Sequence, residues 1–266
     1  MSAFTKEQLD GFSMRNWYDL SGQGAVVTGG ATGLGLAVTR CLISAGARVA
    51  VLGRRSPEEA SESLAEFGDR AIYYQYDVTD TDKAPALAET IIRDLGRVDI
   101  LVNNAGNHCK KAIWDMTVQE YEDVLNVHLV GAFALTKAFV PHMKERRHGR
   151  IIFQASMTSY IGQPMVSGYA TAKAGYLGLI HTLTAELAEY GITVNAIAPG
   201  WIDTPMFHKA TDNDPPRLNK ILGRIPAKSV GDPMDIGMVA AFLASDAARY
   251  ISGACIPVDG GALIGF

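Results

Sequence analysis

Tyr169 and Lys173 stand four residues apart, a spacing that on a helix puts both side chains on one face, about 5–6 Å from each other. A phenol of ordinary pKa, about 10, is a poor base near neutrality, but an ammonium one turn away favours the phenolate. Such a pair can exchange a proton with an alcohol or a carbonyl oxygen. Ser156, 13 residues before the tyrosine, carries a hydroxyl that can donate to the same oxygen and hold the attached carbon in place. Taken alone, the tyrosine and lysine are equally a packed aromatic beside a solvated cation, so the chemistry has to be supported elsewhere in the chain. Ser159 and Ser167 are closer hydroxyls and read as loop and cap residues.

That support is the run Thr28-Gly29-Gly30-Ala31-Thr32-Gly33-Leu34-Gly35, between the apolar Ala25-Val26-Val27 and the helical Leu36-Ala37-Val38. Glycines at 29, 33 and 35 allow a tight turn and let a pyrophosphate approach backbone N–H groups at a helix N-terminus, where the dipole favours an anion. An oxidised, cationic nicotinamide brought in by such a turn adds to the pull on Tyr169. The second apolar run ends Val51-Leu52-Gly53-Arg54-Arg55. A carboxylate there would take a ribose 2′-hydroxyl and select NAD; none is present at Gly53, and Arg54 and Arg55 offer guanidinium groups to a 2′-phosphate. NADP is the preferred cofactor, with NAD left open by a solvated reading of the two arginines.

The Gly-x3-Gly-x-Gly spacing, Asn103-Asn104-Ala105-Gly106, Ser156, Tyr169-Ala170-Thr171-Ala172-Lys173, Pro199-Gly200 with Thr204, and Val258-Asp259-Gly260-Gly261 together resemble the short-chain dehydrogenase/reductase family over residues 22–264. The resemblance implies that Asn126, in Leu125-Asn126-Val127-His128, is the active-site asparagine, holding a water that links Lys173 to solvent. It implies that Asp77 and Val78 line the adenine pocket and that Thr204 meets the carboxamide. Asn104, Ala105, Gly106, Pro199, Gly200 and Ile202 complete the cofactor site with Gly29, Thr32, Gly33, Leu34 and Gly35. Thr32 stands where many NADP-using relatives have a basic residue, which counts toward NAD. Family members commonly assemble as tetramers, so a homotetramer is expected.

The substrate is less legible. Asn107, His108, Cys109, Lys110 and Lys111 leave the fourth strand at the rim of the site, and the lysines suit a carboxylate or polyhydroxylated molecule, or else form a solvated face. The candidate substrate residues are Ser156, His108, Lys110, Gln163 and Trp201, with Trp114, Met206 and Phe207 as lid and wall. The expected function is NAD(P)-dependent interconversion of a secondary alcohol and a ketone, on a sugar acid or polyol similar to those of gluconate 5-dehydrogenase-like enzymes. A 3-oxoacyl-carrier-protein reductase is the rival, since the same wall suits an apolar chain. A dinucleotide-sensing scaffold would be expected to have lost the tyrosine, lysine or serine, and a nicotinamide-using isomerase or dehydratase usually has a larger carboxyl-terminal substrate domain.

Positioning these residues requires a repeating frame. Six short apolar runs, Ala25–Thr28, Arg48–Leu52, Ala71–Tyr74, Asp99–Val102, Arg150–Phe153 and Ile192–Ile197, alternate with helical segments, the pattern of a parallel sheet covered on both faces. Gly253–Val258 is a seventh candidate strand that Pro257 confines to an edge or a strand end. The expected architecture is α/β: one Rossmann domain over residues 1–266, a doubly wound seven-stranded parallel sheet with helices on both faces. Residues 1–20 are read as an extension and 200–226 as a mobile lid loop with one short helix.

The 266 residues are 48% hydrophobic and 20% charged, with 24 Lys+Arg against 28 Asp+Glu. This balance, without a long run of like charge, argues for small molecules and against nucleic acid or an anionic membrane as partner. Charged residues interrupt 1–20, so no signal peptide is read there, and no 18-residue apolar span is expected. Three cysteines at 41, 109 and 255 fit free thiols in a reducing cytoplasm. The six histidines show no metal-ligand spacing, and no metal is expected.

Overall fold

The computed structural model describes residues 13–265. Seven strands, β1 (Gly24–Thr28), β2 (Arg48–Gly53), β3 (Ala71–Gln75), β4 (Ile100–Asn103), β5 (Gly149–Gln154), β6 (Ile192–Pro199) and β7 (Cys255–Val258), form one sheet in the order β3-β2-β1-β4-β5-β6-β7. All six pairings are parallel. Every residue of β1, β4, β5 and β6 is buried, which is why these strands read as unbroken apolar runs rather than alternating ones. The proline-bearing β7 lies at one edge, one of the two places Pro257 permits.

Helices cover both faces. One layer packs α4 (Ala84–Leu95), α6 (Gly131–Arg146) and α7 (Ser167–Leu187) on the sheet around Leu101, Ile151, Phe153 and Val194. The other packs α2 (Gly33–Ser44), α3 (Pro57–Leu64) and α10 (Pro233–Ala244) around Val27, Val51, Ile100 and Ile152. Capping boxes start α3 at Ser56 with Glu59, α5 (Val118–Leu125) at Thr117 with Glu120, and α10 at Asp232 with Asp235. A short α1 (Met14–Tyr18) lies against the body, with Arg249 over the Trp17 ring at 4.2 Å. Residues 1–12 of the expected extension lie outside the described residues.

Two expectations are corrected. The segment 200–226 is not a loop with one helix: α8 (Pro205–Thr211) and α9 (Pro215–Arg224) fill it. Each begins with a proline behind a capping side chain, Thr204 accepting from Phe207 N–H and Asp214 from Arg217 N–H. The second concerns length. α5 runs through a π-helical turn, Asn126–Val130, into α6, and Val118–Arg146 is long and apolar enough to cross a membrane by length and composition. In the fold this helix buries Val124, His128, Ala132, Leu135, Phe139 and Met143.

Candidate active site

The order of the sheet puts β1 beside both β2 and β4, and the crevice at such a switch point is where parallel α/β sheets take ligands. At its floor Gly29 turns the chain with φ +65°. A Cβ on Gly35 would lie 2.1 Å from the Gly29 carbonyl oxygen, so only glycine lets the helix start close to the strand end. Thr32 stands at the N-cap of α2 with its side chain making no capping bond, which leaves backbone N–H groups for an anion. Leu34 is half-buried behind the turn. Asn104 N–H and Ala105 N–H both donate to Thr28 Oγ1 at 2.8 Å, and Asn104 Nδ2 donates to Thr28 O at 2.8 Å. These bonds lock the ends of β1 and β4 together.

A cleft of about 290 Å³ runs from Gly29 and Thr32 past Gly53, Arg54 and Arg55 to Asp77, Val78, Ala105 and Gly106. The expected adenosine-side residues therefore line one space. Asp77 is anchored by accepting from Thr79 N–H and Thr79 Oγ1 at 3.0 and 2.8 Å. A Cβ on Gly53 would meet Tyr73 Oη at 2.8 Å, so a side chain at the end of β2 would need the Tyr73 ring to shift. Arg54 and Arg55 are exposed, and neither is in an ion pair among the described residues.

Pro199 ends β6, and a Cβ on Gly200 would lie 2.7 Å from Asp259 Cβ, so the chain passes tightly under the final turn. Ile202 is buried and bridges Gly231, while Thr204 caps α8. Trp201, with Phe207 and Val230, packs against Ile221, Ile225 and Ala262, so it helps hold α8 and α9 on the body.

β5 and α7 bring together Ser156, Tyr169 and Lys173. Ser156 is buried and its Oγ accepts from Thr158 N–H at 3.1 Å. Burial pushes the half-buried Tyr169 phenol up, and a hydrogen bond with Ser156 pulls it back down. Lys173 is 3% exposed, donates to the Gln154 carbonyl, and lies 5.5 Å from the Tyr169 ring centre and 5.0 Å from that of Tyr176. Desolvation lowers its pKa to about 7. The expectation that the ammonium tips Tyr169 to phenolate is thus modified: burial dominates at the phenol, and the lysine is the group poised near neutrality.

Asn126 does not join this group. Its side chain is exposed at the start of the π turn, on the opposite side of the helix from Val124, Ala132 and Leu135. The side chain that faces Tyr169 from this helix is His128, with ring centres 5.5 Å apart and the rings at 80°. It is buried and neutral, its pKa lowered to about 3 by burial and by the nearby Lys173 charge. The sequence carried a signal for this: Val124, His128, Ala132, Leu135 and Phe139 follow the helical period, and position 126 does not.

His108 stacks on Tyr169 at 4.1 Å with the rings inclined by 30°, and burial and Lys173 lower its pKa. Lys111 pairs with Glu120 and so is committed, while Lys110 is exposed. Gln163 lines a second cleft of about 250 Å³ with Lys111, Trp114, Met165 and Ser167. Among the described residues no cluster of three or more His, Cys, Asp or Glu side chains is arranged to hold a metal.

A family model described as enoyl-(acyl carrier protein) reductase matches residues 29–262. The chain is 35% identical over 249 residues to 2-dehydro-3-deoxy-D-gluconate 5-dehydrogenase of Formosa agariphila, covering 92% of this chain and 94% of that one. It is 36% identical over 248 residues to a 3-oxoacyl-(acyl-carrier-protein) reductase of Thermotoga maritima, covering 92% and 99%. A solved gluconate 5-dehydrogenase from Burkholderia cenocepacia, in complex with NADP and tartrate, superposes with a TM-score of 0.89 at 29% identity, over 96% of this chain and 100% of the other. With the glycine turn at the switch point and a serine, tyrosine and lysine gathered beside it, the chain belongs to the short-chain dehydrogenase/reductase family and is an NAD(P)-dependent oxidoreductase acting on CH–OH groups.

Proposed function

We propose that the protein is an NADP-preferring dehydrogenase that interconverts a secondary alcohol and a ketone on a sugar acid of the gluconate kind. The observation that carries this is the convergence of Ser156, Tyr169 and Lys173, tied through His128 to Asn107 at one end of a cleft that reaches Arg54 and Arg55 at the other. The residues fit a dinucleotide: Gly35 lets α2 start against the end of β1, Thr32 leaves the first N–H groups of α2 without a side-chain cap, and no carboxylate stands at Gly53 to hold a 2′-hydroxyl. Bound there, the nicotinamide supplies or accepts the hydride. Ser156 donates a hydrogen bond to the substrate oxygen and so orients the carbon. Tyr169 gives its proton to that oxygen in reduction and takes one in oxidation, and Lys173 restores the phenol. Arg54 and Arg55 hold the 2′-phosphate.

A sugar acid is favoured by the gluconate-related relatives and by the polar side chains of His108, Lys110 and Gln163 at the rim. The 3-oxoacyl reading is favoured by the reductase relatives and by the exposed Ile113, Trp114 and Met165 beside Gln163. Assays at 340 nm with D-gluconate and related sugar acids, and with 3-oxoacyl thioesters, decide between them; turnover of the thioesters alone would remove the sugar-acid assignment. Tyr169→Phe is expected to lower kcat by about 10²-fold or more while cofactor Kd stays within twofold. An unchanged rate would sink the assignment of Tyr169.

We further propose a homotetramer in the cytoplasm. The half-exposed Val130 and Phe133 on the long helix support assembly, and three free cysteines support a reducing compartment.

A further inference from the structure

Arg54 and Arg55 project from a stretch of backbone that is anchored at each residue from Gly53 to Ser56. The Gly53 carbonyl accepts from the Tyr76 N–H at 2.7 Å, at the end of the β2–β3 ladder. Beyond the ladder the partners are side chains. Gln75 Nε2 donates to the Arg54 carbonyl at 3.1 Å, and Tyr73 Oη donates to the Arg55 carbonyl at 2.9 Å. Ser56 N–H then donates to Glu59 Oε2 at 2.9 Å in the capping box of α3. The backbone is held while the two guanidinium groups it carries are in no ion pair among the described residues. Carbonyls of a surface segment that leaves a strand ordinarily turn to water; here β3 takes them.

Tyr73 and Gln75 are two apart on β3 and so share one face of the strand. On that face Tyr73 packs against the core beneath α2 and α3, and its ring lines the cleft beside Gly53, Arg54 and Arg55. Burial raises the Tyr73 pKa, with the Arg55 charge pulling the other way, so the phenol keeps its proton near neutrality and remains a donor. The same oxygen is the atom that a Cβ at 53 would meet at 2.8 Å. A side chain at 53 and the Tyr73–Arg55 bond therefore compete for one space. The ring that would have to shift is the ring that holds the arginine.

We propose that Tyr73 and Gln75 are positioning residues for cofactor choice: from β3 they clamp the Arg54–Arg55 backbone so that its guanidinium groups are preset for a phosphate on the adenosine ribose. The inference rests on the reading of the two arginines given above. A guanidinium meets phosphate through a rigid fork of donors, so its contribution depends on where its backbone stands. A segment free to move would have to be ordered on binding, and that cost weakens the complex. The clamp acts only on the cofactor that carries the phosphate. NAD, with a hydroxyl at that place, gains nothing from it.

The test is titration of the full chain with NADP and with NAD, in Tyr73→Phe, in Gln75→Leu, and in Tyr73→Phe added to Arg54→Ala/Arg55→Ala. Phenylalanine keeps the ring and removes the bond to Arg55. It is expected to raise the Kd of NADP by about fivefold, the equivalent of ~1 kcal/mol for one hydrogen bond, and Gln75→Leu by about threefold. The Kd of NAD is expected to stay within about twofold in both, which also reports that the variants fold. With both guanidinium groups removed, the tyrosine change is expected to alter the Kd of NADP by less than about twofold. Equal weakening of both cofactors, or a loss of NADP that persists without the arginines, would make Tyr73 and Gln75 packing residues of the edge strand only. The cofactor reading fails in a different way. A wild type that binds NAD as tightly as NADP, with the two alanines costing nothing, removes the phosphate contact and the clamp with it. A wild type that selects NADP through its arginines yet ignores Tyr73→Phe overturns the clamp alone.

Discussion

Lys173 is a cation buried with no carboxylate beside it among the described residues, offset by one carbonyl and two aromatic rings. Its folded pKa of about 7 lies below the ordinary 10.5, so between these values the unfolded chain binds more protons than the native one. Stability from this group therefore rises with pH across that window and is lowest below about 7. Lys173→Met should be more stable than wild type by a larger margin at pH 6 than at pH 9.5 in denaturant titrations; an equal margin at both would count against a buried charge. Arg54 is the complementary case, an exposed cation with no acid partner among the described residues. Arg54→Ala is expected to raise the Kd of NADP by about tenfold, the equivalent of ~1.4 kcal/mol of charge-assisted bonding, and that of NAD by less than twofold. Equal loss for both cofactors would contradict a 2′-phosphate contact. These residues were readable in the sequence because their chemistry depends on spacing inside one turn or one helix. His128 was passed over for Asn126 because a motif was matched by residue type, whereas the helix face is set by the period of its apolar positions.

At the scale of elements, α8 is held by its own histidine. His208 Nε2 lies 2.6 Å from Asp203 Oδ1, before the helix, and Nδ1 lies 2.9 Å from Asp212 Oδ1, after it. Both carboxylates raise the His208 pKa, Asp212 first. A raised folded pKa means the clasp is fully formed below the ordinary 6.5 and is lost as pH climbs through the higher folded value. Amide exchange across 205–211 should be slower relative to the rest of the chain at pH 6 than at pH 8.5, and His208→Ala should erase the difference. Exchange in α8 that ignores this substitution would dismiss the clasp. The two helices here were missed although Thr204-Pro205 and Asp214-Pro215 are each a cap followed by a first-turn proline. Charged and polar residues between them masked the period. The strands were read to within two residues at either end because burial on both faces leaves little choice of residue.

The molecule as a whole is one sheet drawn from both halves of the chain. Its long helix buries one face and leaves Val130 and Phe133 half-exposed on the other. Phe133→Glu should shift the light-scattering mass toward smaller species with the far-UV spectrum unchanged; a monomeric wild type would remove the proposed assembly.

The Thr28 hydroxyl receives N–H groups 76 and 77 residues further along the chain, so the crevice floor exists only when distant segments have met. Any molecule spanning that seam contacts both at once and binds only when they are together. Binding should therefore raise the melting temperature and sharpen the transition, making the redox coenzyme a staple of the native state as well as a reagent.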